Sequence, residues 1–422
     1  MPSRWILSLV LAIASAAVAC GGHAASNGDV GGGGGSSSSS GGGPPEGVDG
    51  GTISGPNVAP VVVNSGPPGT PTFDVPFVTV TLCVPGTDTC ETIDYVTVDT
   101  GSSGMRVLAS ALTGLRAFPQ QIATTGDPLV ECMQFDDGYT WGSVRLADVK
   151  IAGEVAGKIP IQIIGDPSYA AVPTDCSSSG PSENTVSTFG ANGLIGINQI
   201  IPDCGDDCAD TGDVLAGAYY SCTSSACTSV AVPIADQVPN PIASFGTDGN
   251  GALLQFPTVP AGGAGTLSGS LVFGIGTQSN NGLGSAQILT VDTNGNFTTL
   301  YKGTTFATSF LDSGTNLLAF NDSSIPECSS ASGLSGYYCP TSLLSLTAQN
   351  MGRNGVTTTV SFGVDSAETL FGSSNTAFGD VAGNGVDANS FDWGLPFFIG
   401  RSVYVALDGA TTPGGAGPYF AY

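Results

Sequence analysis

The strongest constraint on this chain is a string that occurs twice. Tyr95-Val96-Thr97-Val98-Asp99-Thr100-Gly101-Ser102-Ser103-Gly104 runs β-branched residues straight into an Asp-Thr-Gly-Ser turn. Far downstream, Thr308-Ser309-Phe310-Leu311-Asp312-Ser313-Gly314-Thr315-Asn316-Leu317-Leu318 repeats the order: two apolar residues, Asp, Ser or Thr, Gly, Ser or Thr. One copy reads as a β-turn, whereas two matched copies argue for a shared purpose. A carboxylate at the mouth of such a turn accepts from the turn's N–H groups and from the hydroxyl that follows, which fixes its position. If the two turns face each other, both carboxylates cannot ionise cheaply, so they share a proton and polarise one trapped water. That is general acid/base hydrolysis with neither a metal nor a covalent intermediate. The expected catalytic residues are Asp99 and Asp312, with Thr100, Gly101, Ser102, Ser313, Gly314 and Thr315 in support.

Around these strings the chain reads as mostly β. Val, Thr, Ile, Leu and Phe segments are broken by Gly, Pro, Asn and Asp, with hardly any helical apolar spacing. Phe77–Leu82, Thr357–Phe362 and Ser402–Leu407 alternate, and the Asn-Gly within Val291–Phe297 predicts a hairpin. The single histidine, His23, falls in a Gly/Ser-rich stretch. Ser-His-Asp, Cys-His and His-ligated zinc chemistry are therefore excluded from a folded domain that lacks an imidazole. Gly274-Ile275-Gly276 lacks a third glycine and reads as a strand end, so no cofactor is implied. Nine Lys and Arg against 34 Asp and Glu give a formal charge of −25, which disfavours nucleic acid and anionic surfaces as partners.

The N-terminus reads as an export signal over residues 1–19, since Arg4 precedes an apolar run too short to span a bilayer. It ends at Ala17-Val18-Ala19-Cys20-Gly21, which resembles a bacterial lipobox and makes Cys20 the expected lipid attachment; ordinary signal cleavage nearby is the rival. Residues 20–55 are a Gly/Ser tether that cannot bury a core. The expectation is a monomer, exported and lipid-anchored to a bacterial membrane, periplasmic or at the cell surface.

Ten further cysteines, an even number behind an export signal, read as disulfides. Short loops favour Cys83–Cys90, Cys222–Cys227, Cys328–Cys339 and Cys204–Cys208, leaving Cys132 with Cys176. A metal site at Cys204-Gly-Asp-Asp-Cys208 is the alternative to the fourth pair.

The two Asp strings resemble those of the pepsin-like aspartic peptidases, and more closely those of bacterial lipoproteins with that fold. The resemblance implies a bilobal β fold with one Asp loop per lobe and a cleft between them, the lobes spanning 56–278 with Asp99 and 279–422 with Asp312. It extends to an apolar-apolar-Gly segment behind each loop, here Asn192–Ile197 and Asp392-Trp393-Gly394-Leu395, and to Gly269–Gly276 as the strand that ends the first lobe. It implies a flap in Cys132–Gly142, formed by Phe135, Gly138 and Tyr139, and an endopeptidase acting on peptide or protein substrates with no metal. Phe135 and Arg106 stand where the family has Tyr and Trp, with Tyr139 or Trp141 as candidate substitutes. The alternative is a catalytically weak or inactive surface-binding lipoprotein; a β-rich adhesin of unrelated fold is a third reading. A Cys- and Asp-rich insertion over about 200–232 reads as a stapled surface excursion, with lining a cleft or binding a partner as its alternative.

Overall fold

Alternating apolar residues build the first half of the molecule, described here from a computed structural model covering residues 53–209, 217–385 and 387–422. The export signal, Cys20, His23 and the tether up to residue 52 lie outside the described residues. The strands in chain order are β1 (Val58–Val63), β2 (Pro76–Cys83), β3 (Cys90–Asp99), β4 (Ser103–Leu108), β5 (Leu129–Gln134), β6 (Tyr139–Ile151), β7 (Glu154–Ile164) and β8 (Gly193–Ile197). Neighbours run β2, β3, β8, β4, β7, β6, and β6 pairs back onto β2, so these strands close a ring without a free edge. Val80, Leu82, Val98, Val107, Ile161 and Ile195 are fully buried in its core.

The insertion near residue 200 adds β9 (Tyr219–Cys222) and β10 (Cys227–Ser229) beside β5, so it lengthens the sheet behind the expected flap. On the other side, β1 pairs with β12 (Leu267–Phe273) and β12 with β11 (Gly251–Gln255); Gly274, with φ of +82°, follows directly on β12, a strand end as its sequence predicts.

The second half contributes β13 (Ile288–Thr290), β14 (Phe297–Tyr301), β15 (Thr304–Leu311), β16 (Leu318–Ala319), β17 (Leu344–Met351), β18 (Thr357–Val364), β19 (Ala382–Gly383), β20 (Asp392–Trp393) and β21 (Ser402–Ala406). Seven of these form a second sheet in the order β18-β17-β14-β15-β20-β16-β19. By contrast, β13, β21 and the closing strand Tyr419–Ala421 join the 15-stranded sheet through β11, so that sheet draws strands from both sides of residue 278. The chain is mostly β, and among the described residues no helix exceeds the five residues of Ala367–Phe371.

The hairpin expected at Val291–Phe297 is a turn whose flanks part company. Asp292 Oδ1 accepts from the N–H groups of Asn294 and Asn296, but β13 pairs with Tyr419–Ala421 and β14 with β15 and β17. Local turn chemistry is present, and the tertiary partners decide the pairing. Five disulfides join Cys83–Cys90, Cys132–Cys176, Cys204–Cys208, Cys222–Cys227 and Cys328–Cys339. They fit an extracellular or periplasmic compartment. Among the described residues no helix is long and apolar enough to cross a membrane.

Candidate active site

Each Asp turn is threaded by a short strand. β3 enters Asp99 parallel to β8, and β4 leaves antiparallel to it; β15 enters Asp312 parallel to β20, and β16 leaves antiparallel to it. A glycine near the end of each threading segment has no room for a side chain. A Cβ on Gly196 would stand 2.7 Å from Ser102 O, and one on Gly394 would stand 2.0 Å from Leu317 O. This close passage is why apolar-apolar-Gly recurs behind both turns, with Gly196 and Gly394 in the glycine places.

Within the turns the carboxylates are held as the sequence predicts. Gly101 N donates to Asp99 Oδ1 at 2.6 Å and Ser102 Oγ to Asp99 Oδ2 at 2.5 Å. Gly314 N donates to Asp312 Oδ1 at 2.8 Å, while Thr315 donates to Asp312 from its N–H at 3.3 Å and from its hydroxyl at 3.2 Å. The turns also grip each other. Thr100 N donates to Ser313 Oγ (3.1 Å) and Ser313 N to Thr100 Oγ1 (2.9 Å), while the two hydroxyls donate onward to Leu311 O (2.9 Å) and Val98 O (2.7 Å). All of these side chains are buried.

The grip sets the carboxyls against one another's turns. A Cβ on Gly101 would lie 2.4 Å from Asp312 Oδ2, and a Cβ on Gly314 would lie 2.9 Å from Asp99 Oδ1. Both carboxyls therefore border the same two glycines, and any larger residue at either place would push one of them away.

A hairpin overhangs this pair. β5 and β6 are joined by the turn Phe135–Gly138, closed by Phe135 N donating to Gly138 O at 2.7 Å. Phe135 and Asp137 line a small cavity together with Asp99, Gly314, Glu183 and Leu194. The tip is tied down by Tyr139 N to Pro181 O (3.0 Å), Glu183 N to Tyr139 O (2.9 Å) and a carboxyl–carboxyl hydrogen bond between Asp137 and Glu183. Burial, with the like charge of Asp137 added, pushes Glu183 up to about 9. The Cys132–Cys176 disulfide anchors β5 to the same segment.

Of the aromatic candidates in the hairpin, only Phe135 faces the cavity. Tyr139 and Trp141 pack with Cys132, Cys176 and Tyr220, and Trp141 Nε1 donates to Tyr169 O at 2.6 Å. Neither replaces the missing hydroxyl, because their strand faces place them in a different cluster from Phe135. Arg106 likewise is no counterpart of a flap partner. Fully buried, it bridges Glu131 (2.7 Å) and Asp203 (2.8 Å) and donates to Ser103 O at 2.5 Å. Tyr219 OH donates to Asp203, and Val238 N donates to Tyr219 OH. This network, which nothing in the sequence announces, joins the first Asp loop, the hairpin and the insertion. The insertion thereby has an internal role behind the hairpin as well as a disulfide-stapled surface.

A third carboxyl lies close to the pair. Asp392, in β20, hydrogen-bonds the Thr315 hydroxyl, and burial above all, with the charges of Asp136 and Asp99, raises it well above the usual carboxylate range. Asp136, in the hairpin turn, is pushed up to about 7 by burial and by Asp387. Asn316, directly after the second Asp turn, is 3 % exposed and its Oδ1 accepts no hydrogen bond; it lines a groove with Phe73, Val75, Thr188, Leu334 and Phe371. Among the described residues no group of His, Cys, Asp and Glu is arranged to hold a metal ion. Cys204 and Cys208, the metal alternative, are bridged to each other.

What the geometry defines is a mostly β protein with two buried carboxyls held on facing glycine turns. The chain belongs to the family described as protein of unknown function (DUF3443), whose profile matches residues 54–422. No curated protein matches it. The family match corrects the resemblance to pepsin-like aspartic peptidases and to bacterial lipoproteins of that fold: the profile that covers the folded part of the chain is this one, and not a pepsin-like one. Two short Asp turns and their threading strands carried that resemblance, and such strings are too brief to define a family across the matched span.

Proposed function

We propose that the protein is an endopeptidase that hydrolyses peptide bonds with Asp99 and Asp312 as a dyad and a water held between them. The observation that carries the reading is that each carboxyl borders the glycine of the other's turn. In this reading the molecule is bilobal, with one Asp loop per lobe and substrate in a cleft between them. One carboxyl takes a proton from the water as it attacks the peptide carbonyl, and the other gives its proton to the developing oxyanion. The hydroxyls of Ser102 and Thr315 keep the carboxyls in place. The groove at Asn316 supports an extended chain as substrate, since its unused acceptor suits a backbone N–H and its Phe73, Val75, Leu334 and Phe371 suit apolar side chains. The hairpin over the pair supplies the cover that excludes water. No cofactor takes part, and the enzyme acts as a monomer tethered to the membrane through a lipid on Cys20.

A weak or inactive binding protein is the second reading, favoured by one observation: Phe135 brings no hydroxyl to the hairpin tip, which is stapled down by Cys132–Cys176. Digestion of a denatured protein mixture from pH 3 to 8, with and without a transition-state inhibitor of aspartic peptidases, separates the two. Inhibitor-sensitive cleavage that Asp99→Asn and Asp312→Asn each abolish is expected. Binding of peptides without cleavage at any pH would establish the second reading.

A further inference from the structure

The two Asp loops permit an internal comparison that isolates Asp392. In the first, Val98 pairs with Ile195 and Asp99 with Gly196, which sets Leu194 two places before the Asp-loop glycine contact. In the second, Leu311 pairs with Trp393 and Phe310 with Asp392. Asp392 thus occupies the place of Leu194, an apolar residue 4 % exposed. The fold accepts leucine at this place, so a carboxyl there is not a requirement of the loop.

The carboxyl is also left incomplete. Asp392 is 7 % exposed, its Oδ1 is buried and accepts no hydrogen bond, and its side chain hydrogen-bonds the Thr315 hydroxyl, whose single proton is shared with Asp312. The charges of Asp136, in the hairpin turn, and of Asp99, in the first loop, both act on it. Among the described residues neither Asp136 nor Asp392 enters an ion pair; Arg106, Arg145, Lys302 and Arg353 are each engaged with other acids. A buried carboxyl without a cation is costly when ionised, and a buried acceptor without a donor is costly in either state.

We propose that Asp392 and Asp136 form a cation-selecting subsite beside the dyad, so that the preferred substrate carries lysine or arginine next to the bond cleaved. This rests on the hydrolytic reading of Asp99 and Asp312. An ammonium or guanidinium supplies the donors that Oδ1 lacks and the charge that lets both carboxyls ionise. The formal charge of −25 draws such substrates toward the molecule. Leucine in place of Asp392 would offer only an apolar wall, as Leu194 does in the first loop.

The test uses the immobilised Asp99→Asn protein, which cannot complete hydrolysis, and random octapeptides with a fixed central lysine, arginine or norleucine. Retained peptides are counted by mass spectrometry. Lysine and arginine peptides should be retained about tenfold better than norleucine ones, and the ratio should fall to near one when Asp392→Leu is added, with Asp392→Asn as the alternative if the leucine variant does not fold. Equal retention of all three libraries overturns the subsite. Cleavage sites of the unaltered protein are mapped in parallel. Cleavage without lysine or arginine beside the scissile bond overturns the subsite and leaves the dyad standing. Lysine-dependent retention with no cleavage overturns the dyad and leaves the cation site.

Discussion

The two Asp loops are built alike and held differently. Both present Asp to the N–H of the glycine two residues on and to the hydroxyl three residues on, and both are threaded by a segment whose glycine, Gly196 or Gly394, admits no side chain. The first sits in a closed ring of strands, in the half of the chain that carries four disulfides, with an ion network from Arg106 tied to Ser103 O. The second rests on strands of two residues, β16, β19 and β20, which cannot hold a loop by backbone pairing alone. Stacked rings do that work instead: Phe320 on Phe391 at 4.4 Å, Phe391 on Trp393 at 4.1 Å, and Phe362 edge-on to all three. One local geometry can therefore be supported by covalent and ionic ties on one side and by aromatic packing on the other.

The sharpest way to break this likeness is to crowd the glycines. Gly101→Ala and Gly314→Ala should each cut hydrolysis by about 10²-fold or more, because a misplacement of about an ångström suffices for that. Gly101→Ala should be the worse of the two, since its Cβ would meet the opposite carboxyl at 2.4 Å against 2.9 Å. Steady-state kinetics on the two variants decide it; equal turnover to the parent would mean that the carboxyls do not act across these glycines.

Stability should then separate the two supports. Arg106→Met leaves Glu131 and Asp203 buried without their cation and should cost about 3–5 kcal/mol; Trp393→Ala should cost a similar about 3–5 kcal/mol through lost packing. Denaturant melts at acid and neutral pH distinguish them, the first loss depending on the charge state of the acids and the second not. Among the disulfides, Cys132–Cys176 closes 44 residues and Cys328–Cys339 closes 11, so removing the first should cost about 4 kcal/mol and the second about 3. A larger loss at Cys328–Cys339 would show that the second half leans on its staple as well as on its rings.

The smallest effect concerns the hairpin latch. Glu183 binds its proton more tightly in the folded chain, at about 9, than an ordinary Glu near 4.5. Between those values the native state holds more protons than the unfolded one, so stability is full below about pH 4.5 and declines as pH rises toward 9. Glu183→Gln should flatten that decline by a few degrees in Tm, read by calorimetry from pH 4 to 9. A decline of unchanged slope would place the titrating group elsewhere, with Asp136 the next to replace.

The family profile covers the folded chain, and the sequence by itself determined the local pieces within it. Asp-Thr-Gly-Ser and Asp-Ser-Gly-Thr were readable as carboxylate-holding turns because the donors lie two and three residues away, within one turn's reach. Alternation marked β2, β18 and β21 as strands, and loop length picked out the short-range disulfides, because those interactions too are local. Tertiary structure alone decided which strand pairs with which, as at Val291–Phe297, and which face a side chain takes, as for Tyr139 and Trp141. It also decided that Arg106 is an internal cation rather than a flap partner. Asp392 stands in an apolar-apolar-Gly segment, and only the tertiary structure brings Thr315, Asp99 and Asp136 close enough to act on it. A buried charge or an unused acceptor has meaning only through neighbours hundreds of residues away, and no spacing along the chain records them.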